Sequence, residues 1–399
     1  MATARDKRNV LVLAVCQALF QIGFAVMFLV GPLVAAPMLG DDLTYVTLPF
    51  SMMLAGLAAV AWPAALLMRR IGRKAGFAAG SAVGAAGCVI ALFAIQQGSL
   101  VAFAAGLFLF GIYTGFGQQY RFAVADVASA DFRPLAISLV LAASVIGGFF
   151  GPELAVHTRT LIGGDEFAGT MAALMMLTLL SGLVVLLIDI PKLSRSELAE
   201  PGRPLGAIIR QPAFIIAITA GALGFVTMNL TMTSAPIAMR IGQGFAFDDT
   251  AFVIQWHVVG MFAPGFFTGY LIKRWGSVRV ITAGGILMLT TVGVAVSGLS
   301  LAHFWISMFV VGVGWNFTFT GGTALLTQLH TPSERAKVQG LNDLIIFSSM
   351  TLTSLTSGML YHLAGWNWVV LAALPIVAIM FAVVIGFAIA KRTAPSDSL

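Results

Sequence analysis

The sequence predicts an all-α integral membrane protein with twelve transmembrane helices in two pseudo-symmetric six-helix halves. Three observations predict it: the composition, the alternation of basic residues along the chain, and an internal repeat. Of 399 residues, 59% are hydrophobic and only 10% charged, and the mean hydropathy is +0.96. Soluble domains carry roughly 25% charged residues because their surfaces face water, so a water-soluble fold is excluded and lipid must cover most of this chain. The net charge of +6 raises the question of nucleic acid, but the basic residues mark one side of a membrane instead. Cys16 and Cys88 both lie in apolar runs, which leaves no case for a disulfide framework or a metal site.

A helix needs about 20 mainly apolar residues to cross a hydrocarbon core of about 30 Å. Apolar runs of that kind fall at 9–38, 43–68, 75–96, 100–128, 134–157, 167–190, 212–239, 249–272, 279–299, 301–329, 336–362 and 367–390. The first run is too long for a signal-peptide core and has no small-residue cleavage site at its end, so it reads as a true span. Positive charge is retained in cytoplasmic connections close to the spans. Arg5, Lys7 and Arg8 precede span 1, Arg69 to Lys74 follow span 2, and Lys273, Arg274 and Arg279 surround the turn after span 8. Every Lys and Arg lies at a terminus or an even-numbered connection except Arg159, Arg240 and the intraspan Arg121. Both termini are therefore expected on the cytoplasmic face. Asp41-Asp42, Asp165-Glu166 and Asp248-Asp249 fall on the opposite side.

The longest polar stretch, 191–211, separates an N-terminal half (1–190) from a C-terminal half (212–399) and reads as a cytoplasmic linker. The halves repeat: Arg70 and Gly72 after span 2 recur at one common offset as Arg274 and Gly276 after span 8, and Gly31-Pro32 recurs as Ala235-Pro236.

On these residues the chain resembles the major facilitator superfamily of secondary transporters over nearly its whole length. The family's loop signature Gly-x-x-x-Asp-Arg-x-Gly-Arg-Arg/Lys maps onto Ala65, Arg69, Arg70, Gly72, Arg73 and Lys74. Its span 5 signature Gly-x-x-x-Gly-Pro maps onto Gly147, Gly151 and Pro152. The resemblance implies gating roles for Arg70, Gly72, Arg73, Arg274 and Gly276, for Gly147, Gly151 and Pro152, and for Asp126 as acidic partner of Arg70 or Arg73. The signature's Asp is replaced by Arg69, with Lys273 at its counterpart, and Leu107 stands where drug exporters carry an Arg. Both departures argue against an export pump. The segments Gln118-Gln119-Tyr120-Arg121-Phe122 and Leu341-Asn342-Asp343 resemble a proteobacterial branch that includes riboflavin uptake carriers.

The resemblance implies a mid-membrane substrate cavity lined by spans 1, 4, 7 and 10. Uncharged polar groups concentrate in those spans. Gln17 and Gln21 share a face of span 1, Gln118, Tyr120 and Arg121 lie in span 4, Asn229 in span 7, and Trp315 and Asn316 in span 10. These are the candidate substrate contacts; the competing reading is interhelical hydrogen bonding, or a gate role in the case of Arg121. Titratable groups inside spans are costly and default to function. Glu153, His257 and Asp343 are the candidates for proton coupling. Against this, Glu153 suits an outer-gate hydrogen bond, His257 a packing role, and Asp343 a balance for the basic inner charge.

The expected function is a secondary carrier of a small organic solute, coupled to protons, acting as a monomer in the bacterial inner membrane. A planar hydrogen-bonding solute such as a riboflavin-like vitamin suits Trp315, Tyr120 and Phe317; an efflux antiporter is the alternative. No cofactor or nucleic-acid partner is expected. No Gly-x-x-x-x-Gly-Lys-Ser/Thr loop occurs to bind ATP. No nucleophile elbow, zinc helix or long signalling tail supports an enzyme or a sensor.

Overall fold

A computed structural model describes residues 3–129, 132–189, 202–331 and 334–393. Its regular structure is helical: α1 Ala4–Leu39, α2 Leu48–Ile71, α3 Arg73–Gln97, α4 Leu100–Gly117, α5 Tyr120–Val127, α6 Arg133–Thr158, α7 Ala168–Val185, α8 Leu205–Ile209, α9 Pro212–Ile237, α10 Phe247–Phe262, α11 Gly265–Trp275, α12 Ser277–Ser297, α13 Leu301–Thr327, α14 Arg335–Leu371 and α15 Ala373–Thr393. Among the described residues, 11 segments are long and apolar enough to cross a bilayer. The last of them, Lys337–Gly386, has 50 residues and leaves helical geometry at Gly365 (φ 78°, ψ −179°). That break divides it into two crossings, which makes twelve.

Local chemistry explains the boundaries. Thr3 and Asp6 cap α1 reciprocally: Asp6 N–H donates to Thr3 Oγ1 at 3.1 Å and Thr3 N–H to Asp6 Oδ2 at 3.2 Å. Gly72 and Gly276, at matching places in the repeat, both take a left-sided backbone (φ 90°, ψ 153° and φ 83°, ψ 153°). Only glycine adopts that region without strain. The tight turns from α2 to α3 and from α11 to α12 are therefore the same device used twice.

The boundaries depart from the expected spans in three places. The span expected at 100–128 is interrupted at Gln118-Gln119 between α4 and α5. The span expected at 249–272 is interrupted at Ala263-Pro264, because Pro264 has no N–H to continue the ladder. A short helix, α8, occupies part of the expected linker.

Helices α1 to α7 pack on one another, as do α9 to α15, and the two halves meet through α2 with α14, α6 with α10, and α1 with α9. The seam contacts gather toward the acidic end. Ser51 Oγ donates to Ser354 Oγ at 3.0 Å, and Gln255 Nε2 donates to Phe149 O at 2.9 Å and to Glu153 Oε1 at 3.2 Å. Arg159 lies 3.6 Å from Asp248 and 4.5 Å over the Phe247 ring, and His362 lies 3.6 Å from Asp42. Opposite, at the basic end, each flank of the expected linker is tied to its own half. Asn9 Nδ2 donates to Asp189 O at 2.8 Å, Asp189 N–H returns to Asn9 Oδ1 at 3.0 Å, and Arg5 pairs with the Asp189 carboxylate at 2.8 Å. Arg203 donates to Glu334 from its backbone N–H, Nε and Nη2 at 2.7, 2.8 and 2.9 Å. Lys337 Nζ donates to Arg203 O. The Arg203 guanidinium holds the Glu334 carboxyl well below the usual carboxylate range.

Candidate functional site

Between the halves lies a cavity of about 910 Å³, counting the space at its open side. It sits on the basic side of the seam contacts: Asp343, on its wall, precedes the seam residue Ser354 on α14 by about three helical turns.

The N-terminal half contributes amides and a hydroxyl. Gln17 and Gln21 project from α1, Gln118 from the end of α4 and Ser144 from α6. Gln17 is fixed by donating from Nε2 to Ser144 Oγ at 3.0 Å. The amides of Gln21 and Gln118 make no hydrogen bond to any described residue. Phe20, Phe24 and Phe28 continue the α1 wall at four-residue spacing.

The C-terminal half contributes a cluster of aromatic rings. Trp315 and Phe319, one turn apart on α13, lie nearly parallel (10°) with centroids 5.2 Å apart. Phe225 of α9 meets both edge-on, at 4.9 and 5.2 Å, and Phe262 meets Trp315 at 5.8 Å. Asp343 stands at the lower wall on α14, accepting from Asn342 Nδ2 at 3.1 Å.

The remaining sequence candidates stand elsewhere. Tyr120 is buried outside the cavity wall, packed on Phe77 with ring centroids 4.5 Å apart and planes tilted by 37°, and its hydroxyl is 3.3 Å from Ser181 Oγ. Asn229 donates to Met350 O at 3.0 Å and accepts from Thr233 Oγ1. Asn316 donates to Met261 O at 2.6 Å and accepts from Thr268 Oγ1 at 2.7 Å. Both asparagines bind helix to helix and are absent from the wall. His257 is fully buried, with Nδ1 2.6 Å from Met308 O. Glu153 lies at the acidic end, bonded to Gln255 and 3.6 Å from His157. The side chains of Arg121 and Asp126 lie outside the described residues.

Among the gating candidates, Arg70 is exposed, Arg73 partly covered, and Arg274 donates to Tyr270 Oη at 3.4 Å. Gly147 and Gly151 let α6 lie directly on α1: an added Cβ at Gly151 would be 2.8 Å from Ala25 Cβ and 3.0 Å from Ile22 O. Pro152 is buried within α6.

The aromatic wall was not among the sequence candidates beyond Trp315. Its signal was the pair of four-residue rows, Phe20, Phe24 and Phe28 beside Gln17 and Gln21, and Trp315 beside Phe319. With 30 Phe in the chain, those rows do not stand out from ordinary packing.

The family model of the Major Facilitator Superfamily matches residues 13–319 and again 250–398. The chain is 40% identical to the riboflavin transporter RfnT of Brucella anthropi, over 94% of each chain. It is 29% identical to YdeG, an uncharacterized MFS-type transporter of Bacillus subtilis, over 92% of this chain and 88% of that one. Among solved structures it is similar to the human organic anion transporter MFSD10, with a TM-score of 0.68, 13% identity and coverage of 96% and 100%. A bacterial homologue of the iron transporter ferroportin, in an outward-facing state, gives 0.66, 14%, 95% and 99%. These two share the fold. The relatives are transporters rather than enzymes, and the chain is a multi-pass membrane protein that belongs to the major facilitator superfamily.

Proposed function

We propose that this transporter carries riboflavin or a close planar relative across the bacterial inner membrane, moving it inward by alternating access. The observation that carries the reading is the cavity itself, walled by the stacked pair Trp315 and Phe319 with Phe225 on one half and by the amides of Gln17, Gln21 and Gln118 on the other. Aromatic faces favour offset stacking on a planar ring, and a few placed polar groups then orient it. Kinship with a riboflavin transporter supports the flavin among planar solutes.

The basic end is assigned to the cytoplasm by the retention of Lys and Arg, and the two halves, joined by 191–211, act as the rocking bodies of a monomer. With the acidic ends joined and the cavity on the basic side, the described conformation is the inward-facing one. Rocking would part the contacts at Ser51–Ser354, Gln255–Phe149 and Arg159–Asp248 and bring the basic ends together.

Uphill movement is coupled to protons, and Asp343 is the group assigned to it. It is the one of the three titratable candidates that lines the cavity, where arriving substrate changes its solvation. Glu153 and His257 are assigned to the seam and to packing. The test is riboflavin uptake into proteoliposomes under an imposed inward proton gradient. Accumulation is expected in wild type, and Asp343→Asn should keep exchange of internal for external flavin while losing accumulation. No uptake above that of empty vesicles refutes the substrate, and undiminished accumulation by the variant refutes the coupling assignment.

A further inference from the structure

Most of the buried amides among the described residues are engaged. Asn229, Asn316 and Gln255 each donate to a backbone carbonyl, and Gln17 donates to Ser144. Gln119 also makes no bond to a described residue but lies off the cavity wall, whereas Gln21 and the partly buried Gln118 depart from the pattern on it. Both are on the cavity wall, Gln21 is only 5% exposed, and neither amide has a hydrogen-bond partner among the described residues. A polar group without a protein partner on a cavity wall hydrogen-bonds to solvent. A solute that expels this water must replace its hydrogen bonds or bind poorly.

A primary amide presents a carbonyl acceptor and an N–H donor side by side. Its complement is a –C(=O)–NH– edge, which offers donor and acceptor in the reverse order and closes two hydrogen bonds at once, as glutamine does on the adenine edge. The opposite half supplies the stacking surface of Trp315 and Phe319, so a heterocycle resting there has its rim, not its face, available to the amides. Gln17 differs from these two in that one of its two N–H donors is held by Ser144, which fixes the orientation of its amide.

Resting on the flavin reading above, we infer that Gln21 and Gln118 read the –C(=O)–NH– edge of a planar heterocycle whose ring is held by Trp315 and Phe319. The N-terminal half thereby sets specificity and the C-terminal half sets affinity. Flavins, pterins and pyrimidines share this edge, and blocking its N–H with a methyl group removes the donor while leaving the ring surface intact.

The experiment titrates the purified full-length protein with riboflavin, a pterin and thymine, each beside the counterpart methylated on the edge nitrogen. Wild type should prefer the N–H form of its ligand by about tenfold or more, the size expected when a buried polar group loses its partner. Gln21→Met and Gln118→Met, with Gln→Leu where Met fails to fold, should bring each pair to within about threefold. Trp315→Phe should weaken both members of a pair alike. Equal binding of methylated and unmethylated forms by wild type, or an unchanged preference in both glutamine variants, overturns the inference. Rejection of riboflavin with a preserved preference in the pterin or thymine pair overturns the flavin reading and leaves the edge reading standing. Binding of none of the three overturns both.

Discussion

Gly148 is a point at which one methyl group should move the balance between conformations. It faces α10 across the seam, where an added Cβ would overlap Val258 Cγ1 and come within 3.2 Å of Val258 Cβ. Turning the valine about χ1 moves the methyl but not Cβ. Val258 is only 2% exposed, and the Gln255 bonds to Phe149 O and Glu153 hold the two helices at this separation. Gly148→Ala is thus relieved most directly by parting α6 from α10. Overpacking of this kind costs about 1–3 kcal/mol, and at 1.4 kcal/mol per tenfold the population with the seam open should rise by roughly 5- to 150-fold. The assay places a cysteine at Ser354, fully buried against Ser51 in the closed seam, and measures labelling by a membrane-impermeant maleimide. Cys16 and Cys88 are buried and add little background. Gly148→Ala should raise the labelling rate, and adding Val258→Ala should lower it again. Gly106→Ala, which crowds Gly87 O within one half, should reduce stability without raising labelling. Unchanged labelling in Gly148→Ala, or no relief from Val258→Ala, would refute the reasoning.

Three further outcomes are expected. Gly72→Ala and Gly276→Ala should each cost about 1–3 kcal/mol, because both force a side chain into a backbone region tolerated by glycine; thermal melting of the two variants, similar in size, checks this. Asn229→Ala and Asn316→Ala should each lower stability by about 0.6–1.7 kcal/mol, the range for hydrogen bonds between membrane helices, while leaving the apparent KM unchanged. A raised KM would return them to the substrate path. The Glu334–Arg203 tie should depend on pH in a defined direction. Because the folded carboxyl titrates below its unfolded value, the tie is fully present above the unfolded pKa and is lost only as pH falls through the lower, folded one. Melting temperature followed from neutral to acid pH should fall in wild type, whereas Glu334→Gln should start lower and lose that part of the slope.

The fold was legible because bilayer physics writes itself into one dimension. The apolar runs and the one-sided placement of Lys and Arg are both local properties of the chain, and both survive without knowledge of which helix touches which. The breaks at Gln118-Gln119 and Pro264 were less visible, since the apolar runs continue through them and only the backbone hydrogen-bond ladder is interrupted. Within the cavity the sequence separated poorly. Gln17, Gln21 and Gln118 reach the wall, while Asn229 and Asn316, equally polar and equally deep in their spans, turn to Met350 O and Met261 O. The difference lies in rotation of a helix about its own axis relative to neighbours far away in the chain. Tyr120 shows the same limit: it lies two residues from Gln118 yet packs on Phe77, away from the wall. The signature at Gly147, Gly151 and Pro152 was legible as a gating candidate, but the sequence did not tell that Gly148, lying between the signature glycines, is the one that meets the other half.

The ties at Asn9–Asp189 and Arg203–Glu334 have a consequence for how the polypeptide can be divided. Each pins one flank of the connecting stretch to its own six-span body, so severing the chain between them leaves neither body with a loose end. Two separately synthesised fragments would each keep a finished border, and co-expression should let them find one another in the bilayer and work as the unbroken polypeptide does.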